Sequence, residues 1–214
     1  MQALVFANGA LPHPEVARHL AAQADLILCA DGGAHHARSL GMRPHVVIGD
    51  MDSLAPNLCA QLRDAGTQFL VYPACKDETD LELALLYAVE QGATRITVVG
   101  ARGGRIDHEL SNLLLLAHPQ LAGVDVRIVS GDQEIILIRR EATFRGSSGD
   151  MLSLLPFGGD VHGITTSGLE YPLCDETLYF GPARGVSNVF AVPEPSVRLS
   201  SGLLLAVHTR RSAS

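Results

Sequence analysis

The feature that most restricts the fold is a regular alternation of two kinds of segment over the first 130 residues. Short apolar, β-type runs alternate with longer amphipathic stretches rich in alanine and leucine. The runs predict strands, and the stretches predict helices long enough for parallel crossovers. We therefore predict an open parallel α/β sheet in a first domain, residues 1–130. The predicted strands are 3–7, 26–30, 46–49, 69–72, 95–99 and 126–129, and the predicted helices are 14–22, 34–41, 56–65, 79–91 and 106–117.

The helical periodicity ends near Ser130, and the rest of the chain has a different pattern. Short β-type runs, cut by glycine, proline and aspartate, occupy 134–138, 151–155, 164–167, 177–180, 186–192 and 203–208. This pattern predicts an all-β second domain, residues 131–214, of a size that suits a small β-sandwich. The predicted fold class is therefore an N-terminal open parallel α/β sheet followed by a C-terminal β-sandwich.

Composition restricts the function. The chain is 47% hydrophobic and 18% charged, which is typical of a globular protein, and it has no apolar run that approaches the ~20 residues of a membrane span. Its net charge is -7 and Lys76 is its only lysine, which argues against a nucleic-acid-binding surface. An acidic protein that binds a phosphate compound needs a metal ion between the two sets of negative charge.

The N-terminal sequence and the cysteines predict a cytoplasmic location. Residues 1–6 have no basic flank and have the pattern of a strand rather than of a signal peptide. Cys29, Cys59, Cys75 and Cys174 form no CxxC pair and lie in strand-like or helix-like stretches, so we expect reduced thiols, mostly buried.

Glycines, carboxylates and a few basic residues follow the predicted strands. In open parallel sheets, ligands bind at this carboxyl edge of the strands. The segments after the first five strands, 8–9, 31–33, 49–53, 76–80 and 100–108, bring glycines, carboxylates and a few cations to one edge. The residues predicted to contact a nucleotide there are Asn8, Asp31, Gly32, Lys76, Asp77, Thr79, Arg102 and Gly104.

Carboxylates in these segments suggest a metal site. Asp50 and Asp52 are one residue apart, so both can face one hard cation such as Mg²⁺, although a turn before a helix uses the same residue types. Asp80 follows Thr79 at a helix start, where it favours the helix dipole, and it is also a candidate third ligand or base. Asp107 has the same two interpretations at the start of the next helix.

Two arginines, Arg102 and Arg105, flank a pair of glycines, an arrangement that suits a polyphosphate but also a simple tight turn. The spacing matches neither a P-loop nor a dinucleotide fingerprint. We find no GxSxG motif and no adjacent Cys/His pair for covalent catalysis, and His35 and His36 fit an exposed helix start as well as a ligand pair. The residues alone predict a Mg²⁺-dependent enzyme that acts on a nucleotide or another polyphosphate.

The second domain has polar loops at 165–173 and 181–188. The aromatic face of Tyr171 and the hydrogen-bonding pair Ser187 and Asn188 suit a flat heterocycle better than a sugar.

Six ordered segments resemble the thiamine pyrophosphokinase family: ADGGA at 30–34, GDMDS at 49–53, KDETDLELAL at 76–85, GARGGRIDH at 100–108, TTSGLEYPL at 165–173 and RGVSN at 184–188. The resemblance covers nearly the whole chain, and the α/β-then-β layout is also that of the family. It implies a transferase, a thiamine diphosphokinase, that moves the terminal pyrophosphoryl group of ATP to the hydroxyl of thiamine and releases AMP.

The resemblance also implies roles for individual residues. Asp50, Asp52 and Asp80 would be the magnesium ligands, and Asp31 and Asp107 would belong to the same acidic edge, with Asp107 in the catalytic group. Arg102 and Lys76 would contact the phosphates. The family's thiamine site lies at a homodimer interface and maps here to Ser167, Tyr171, Ser187 and Asn188.

Two other functions remain open from the sequence. A Mg²⁺-dependent nucleotide hydrolase would use water in place of the alcohol, and a nucleotide- or thiamine-binding regulator would bind without turnover. The density of carboxylates disfavours the regulator, because carboxylates repel a polyphosphate unless a metal ion takes part.

Overall fold

The computed structural model describes residues 1–211, and the chain divides into two compact units. Unit 1 comprises Met1–Gly131, and unit 2 begins at Asp132. Unit 1 is an α/β structure with a parallel sheet, and unit 2 consists of antiparallel sheets, so the predicted fold class is confirmed.

Within residues 1–131, six parallel strands form an open sheet in the order β6-β5-β1-β2-β3-β4. The strands are β1 (Gln2–Phe6), β2 (Leu26–Ala30), β3 (Val46–Gly49), β4 (Gln68–Val71), β5 (Arg95–Val99) and β6 (Asp125–Ser130). The central strands β1, β2, β3 and β5 are almost wholly apolar and buried, as a sheet covered by helices on both faces requires.

The helices that connect these strands are α1 (Pro14–Ala21), α2 (Ala34–Ser39), α3 (Pro56–Asp64), α4 (Asp80–Glu90) and α5 (Ile106–Leu114). Short 3₁₀ turns occupy Asp31–Gly33, Leu115–Ala117 and Pro119–Leu121. Proline at the first position of α1 and α3 favours helix initiation there, because its missing N–H would have no partner in the helix. The predicted elements of this unit lie within about three residues of the observed bounds.

Within residues 132–211, eight strands form two antiparallel sheets, β12-β9-β14-β7 and β11-β10-β13-β8. The strands are β7 (Gln133–Ile138), β8 (Glu141–Thr143), β9 (Met151–Pro156), β10 (Val161–Ser167), β11 (Glu176–Leu178), β12 (Asn188–Val189), β13 (Ser196–Arg198) and β14 (Leu204–Thr209). Apolar residues of both sheets, among them Leu154, Ile164 and Val197, share one buried cluster, as in a β-sandwich. The sequence pattern does not predict β8 and β13, and it predicts a strand of seven residues, 186–192, where β12 has two.

The cysteines follow the sequence prediction only in part. All four are free, and Cys29 and Cys59 are buried. Cys75 and Cys174 are exposed and lie outside the helices and strands. The prediction that the cysteines lie buried in helices or strands was therefore wrong for these two. In the described part of the chain no helix combines the length and the apolar character needed to cross a membrane.

Candidate active site

A cavity of about 580 Å³ lies in unit 1, next to the carboxyl ends of β1, β2, β3 and β5 and the N-termini of α4 and α5. Parallel strands bring the residues that follow them to this edge. The predicted site residues that line the cavity are Asn8, Asp31, Asp50, Asp52, Lys76, Thr79, Asp80 and Gly104. The wall also contains Ser53, Glu78, Arg105, His108, Glu109 and Asn112.

Three carboxylates converge on one side of this cavity. One oxygen from each of Asp31, Asp50 and Asp52 lies within 4.8 Å of the other two. The backbone holds them there at a conformational cost, because Asp31 has φ of 40° and Met51, between the other two, has φ of 66°. Asp31 is 5% exposed, and its Oδ1 is buried without a hydrogen bond from any described residue. A buried carboxylate oxygen without a donor indicates room for a cation.

Gly49, at the end of β3, explains how a fourth carboxylate approaches this cluster. A Cβ at Gly49 would lie 2.9 Å from Cβ of Asp31 and 2.9 Å from Cγ of Asp80. Only glycine leaves room for both acids above the strand end. The structure therefore brings Asp80 next to the other three acids, but its Oδ1 lies 2.8 Å from Nζ of Lys76.

Lys76 and Asp80 form an ion pair inside an acidic surrounding. Burial raises the pKa of Asp80, and Lys76 opposes this shift only in part. Burial also acts to lower the pKa of Lys76, but Asp80, Asp50 and Asp31 outweigh it, so the pKa of Lys76 is raised. The lysine is thus held as an ammonium ion at the wall of the cavity.

The helix that carries Asp80 begins at a side-chain cap. Oγ1 of Thr79 accepts a hydrogen bond of 3.2 Å from the backbone N–H of Glu82. Asp80 is the first residue of α4, so it lies where the helix dipole favours a negative charge. The two interpretations of Asp80 are compatible, because the capped helix start also faces the cavity.

The glycine-rich loop between β5 and α5 is fixed by two residues that the sequence analysis did not select. Nε of Arg102 donates to Oε1 of Glu109 at 2.9 Å, and the N–H of Gly103 donates to Oε2 at 3.2 Å. Arg102, and then this N–H, lower the pKa of Glu109. Nδ2 of Asn112 donates to the carbonyl of Ala101 at 2.8 Å. The signal in the sequence is their spacing of three on α5, which places both on one helix face.

Four of the residues predicted for this edge of the sheet are not among the described residues that line the cavity: Gly32, Asp77, Arg102 and Asp107. Gly32 lies under Asn8, whose side chain would collide with a Cβ at this position. Asp107 is exposed and forms an ion pair of 2.5 Å with Arg105, which lowers the pKa of its carboxyl. Asp107 is therefore paired with Arg105 and is not one of the three convergent acids.

In unit 2, two of the predicted heterocycle-binding residues form a reciprocal pair. Oδ1 of Asn188 accepts from the N–H of Tyr171 at 3.1 Å, and its Nδ2 donates to the carbonyl of Tyr171 at 2.7 Å. The side chain of Tyr171 is left 67% exposed. The N–H of Ser187, a residue with φ of 61°, donates to Oγ of Ser153 at 3.0 Å, and Ser167 is the last residue of β10. The amide of Asn188 thus holds the backbone of Tyr171, whose side chain is exposed.

The chemistry of the cavity follows from its donors. Carboxylate oxygens are the ligands preferred by Mg²⁺, and the three convergent acids with an unpartnered buried oxygen fit such an ion. The ammonium of Lys76 and the backbone N–H groups of a loop with φ of 91° at Gly103 and 98° at Gly104 suit phosphate oxygens. The arrangement can therefore bind a metal–polyphosphate complex.

Comparison with known proteins agrees with this chemistry. The family model described as thiamin pyrophosphokinase, catalytic domain, matches residues 17–128, and that described as thiamin pyrophosphokinase, vitamin B1 binding domain, matches residues 134–204. Thiamine pyrophosphokinase 1 of Arabidopsis thaliana is 32% identical over 241 residues, covering 98% of this chain and 87% of that protein. Thiamine pyrophosphokinase of Bacillus subtilis is 28% identical over 186 residues, covering 84% and 85%.

A solved structure gives the same result for the fold. The crystal structure of thiamin pyrophosphokinase from Geobacillus thermodenitrificans matches with a TM-score of 0.85 and 26% identity, covering 100% of this chain and 99% of that one. The match extends over both units, as do the two family models together. The resemblance found in the six sequence motifs is thus confirmed, and the chain belongs to the thiamin pyrophosphokinase family.

Proposed function

We propose that this chain transfers the pyrophosphoryl group of ATP to the hydroxyl of thiamine, with the cavity of unit 1 as the site of reaction. Membership of the family makes it an enzyme, a thiamine diphosphokinase. The observation that carries the site assignment is the convergence of Asp31, Asp50 and Asp52 beside Lys76 in one cavity. An oxygen–phosphorus bond forms at the β-phosphorus, the bond to the α-phosphate oxygen breaks, AMP leaves, and the hydroxyl proton is released.

Asp50 and Asp52 are the proposed principal ligands of Mg²⁺, with Asp31 as the third member of the cluster. Asp80 packs beside Asp31 at Gly49 and is the fourth carboxylate available to the ion. When bound, Mg²⁺ neutralises phosphate charge and thereby lets the polyphosphate approach the acids. The orphaned oxygen of Asp31 supports its place in this set.

The remaining groups of the cavity position the phosphates. Lys76 supplies an ammonium and the loop around Gly104 supplies backbone N–H groups. Arg102, oriented by Glu109, is the proposed partner for charge that develops in the transition state. Asn8, Thr79 and Asp77 remain proposed nucleotide contacts, and Asp107 remains a proposed member of the catalytic group. Because pyrophosphoryl transfer depends on alignment and on charge neutralisation, no covalent nucleophile is needed.

Thiamine is the proposed ligand of the segments of unit 2 that contain Ser167, Tyr171, Ser187 and Asn188. The family model for vitamin B1 binding covers all four. Tyr171 offers a face for the thiamine rings, and the Asn188 amide holds its backbone.

A homodimer with composite active sites is part of the proposal. On α5, beside the cavity, Ile106, Leu110 and Leu114 are 68%, 54% and 61% exposed and recur every four residues. A stripe of this kind on one helix face suits burial against another chain. In unit 2, Tyr179 and Phe180 are also 61% exposed each. A cytoplasmic location is proposed as well, and the four free cysteines support it.

The test is to incubate the purified chain with ATP and Mg²⁺, with and without thiamine, and to separate the nucleotides. AMP that forms only with thiamine and equals the thiamine diphosphate formed would support the proposal. ADP with thiamine monophosphate would contradict it, and nucleotide release without thiamine would indicate a hydrolase.

The metal assignment is tested by Asp52→Asn. We expect turnover to fall by about two orders of magnitude or more, because a transition-state interaction is lost, while the variant remains folded. Asp64→Asn removes the same charge from the exposed end of α3 and is the matched control. Near-normal turnover of Asp52→Asn would exclude Asp52 as a ligand.

A further inference from the structure

Two adjacent histidines at the start of α2 contact different loops of the cavity. Nε2 of His36 is 2.7 Å from the carbonyl oxygen of Gly9, and Nε2 of His35 is 3.0 Å from that of Ser53. A carbonyl only accepts, so Nε2 carries the proton in both rings. His36 is half-buried, and His35 is exposed. The contacts show that neither nitrogen is used as a metal ligand in this arrangement.

The loop that His36 holds lies directly on the glycine-rich loop of Arg102. The N–H of Gly9 donates to the carbonyl of Gly100 at 2.6 Å, and the N–H of Ala10 donates to the carbonyl of Arg102 at 2.6 Å. A Cβ at Gly9 would collide with both of these carbonyls, and a Cβ at Gly103 would lie 2.7 Å from that of Ala10. The two loops are therefore in close contact and are joined by two backbone hydrogen bonds.

We infer that His36 is a positioning residue that aligns the Arg102 loop through the backbone of Gly9. Its ring reaches out from α2 and also packs against Gly100, where a Cβ would lie 3.5 Å from Cδ2 of His36. The peptide of Arg102 is thus fixed by Ala10, which His36 secures, while Glu109 fixes its side chain. Asn8, which lines the cavity, belongs to the same His36-bound loop.

The inference rests on the proposed function, since it assigns the aligned loop to the phosphates of ATP. Loss of the His36 donor leaves the half-buried Gly9 carbonyl without its side-chain partner and frees the loop. A lost hydrogen bond of this kind weakens an equilibrium about tenfold at the upper end of the usual range. The expected effect is therefore about tenfold weaker nucleotide binding. The KM for thiamine should stay within about twofold, because none of these loop contacts involves the proposed thiamine residues.

The experiment compares His36→Leu, His36→Gln and His35→Leu with the unaltered chain. The readouts are the Kd of a non-hydrolysable ATP analogue with Mn²⁺, by titration calorimetry, and the steady-state KM for thiamine. Glutamine places an amide N–H near the position of Nε2, so it should restore the Kd to within about threefold. His35→Leu removes the adjacent ring, which contacts Ser53 instead, and should leave the nucleotide Kd within about twofold, since exposed hydrogen bonds contribute least.

Weaker binding in His36→Leu, rescue by glutamine and an unchanged KM for thiamine would support the inference. It would be overturned by an unchanged Kd in His36→Leu, by failure of His36→Gln to restore binding, or by equal losses for nucleotide and thiamine, which indicate general destabilisation. If His36→Leu does not fold, His36→Ala, which also removes the Nε2 donor, takes its place in the comparison. The Kd is measured without turnover, so the two proposals can be tested separately. If the variants show the expected Kd values but the unaltered chain makes no thiamine diphosphate, the proposed function alone is refuted.

Discussion

At the scale of single residues, the orientation of Arg102 depends on a carboxylate one helix turn into α5. Glu109 accepts from Nε of Arg102 and from the N–H of Gly103, so one side chain fixes both the guanidinium and the loop. Hydrogen bonds between charged groups contribute more than neutral ones. The interaction makes Glu109 a positioning residue for the arginine.

Glu109→Gln is therefore expected to lower kcat by about tenfold while changing the KM for thiamine little, since a charge-assisted hydrogen bond contributes about 1.5–3 kcal/mol. Glu90→Gln, at the exposed end of α4, is the control for the loss of charge. Steady-state kinetics of the two variants gives the answer. A kcat equal in both would mean that Glu109 does not orient the arginine during the reaction.

A buried pair of an aspartate and a histidine in unit 2 predicts acid sensitivity. Asp150 and His208 are 2% and 1% exposed, with 2.8 Å between Oδ2 and Nε2, and the His208 ring stacks on Phe190 at 4.7 Å. Burial acts to raise the pKa of Asp150, but the N–H groups of Arg211 and Ser147, together with His208, lower it below its ordinary value of 3.8. The stabilisation is therefore present above pH 3.8 and is lost as the pH falls through the folded-state pKa.

We expect the free energy of unfolding to decrease below about pH 4, and Asp150→Asn to reduce this decrease. At neutral pH the same variant should cost about 1–3 kcal/mol, because it weakens the buried hydrogen bonds that the Asp150 carboxylate accepts. Urea unfolding followed by circular dichroism measures both, as the chain has no tryptophan for fluorescence. Asp64→Asn should retain the acid-dependent decrease, and an equal slope in the two variants would contradict the assignment to Asp150.

At the scale of elements, α5 has an apolar face that is exposed. None of its residues is buried, although Ile106, Leu110 and Leu114 line one face. Leu110→Glu is expected to shift a homodimer towards monomer by at least tenfold in Kd, since burying an unpaired charge is unfavourable.

Sedimentation equilibrium of Leu110→Glu measures this shift. Gln61→Glu adds the same charge to the exposed surface of α3 and should leave the association unchanged. A monomeric unaltered chain, or a variant that associates as strongly, would count against α5 as the interface.

The elements also show what the sequence could predict. Unit 1 was predictable because each strand and helix satisfies a local rule, such as the capped start of α4 at Thr79. In unit 2, β8 and β13 are three residues long and have no alternation to detect, and they pair with one another across more than fifty residues. The strand-end rule located the acids of the cavity. The spacing of Glu109 and Asn112 places them on one face of α5, but it does not specify that this face contacts the loop before the helix.

At the scale of the whole molecule, the net charge of -7 is unevenly distributed. Four acids of unit 1 lie close to the single lysine, Lys76: Asp31, Asp50, Asp52 and Asp80. We expect mutual repulsion among these acids to destabilise the chain, and the Mg²⁺ ion of the proposed function would reverse this effect. Function and stability are thus opposed at the same residues, as is common at sites that bind charged ligands.

Asp31→Asn should therefore act in opposite directions with and without a divalent cation. With a chelator present, we expect the variant to be more stable than the unaltered chain by about 1–3 kcal/mol, because it removes a buried charge without a donor to Oδ1. With Mg²⁺ at a hundredfold excess over Kd, the unaltered chain should gain about 2.7 kcal/mol and the variant much less. Thermal unfolding under both conditions measures the two differences. A variant that gains as much from Mg²⁺ as the unaltered chain would remove Asp31 from the metal site.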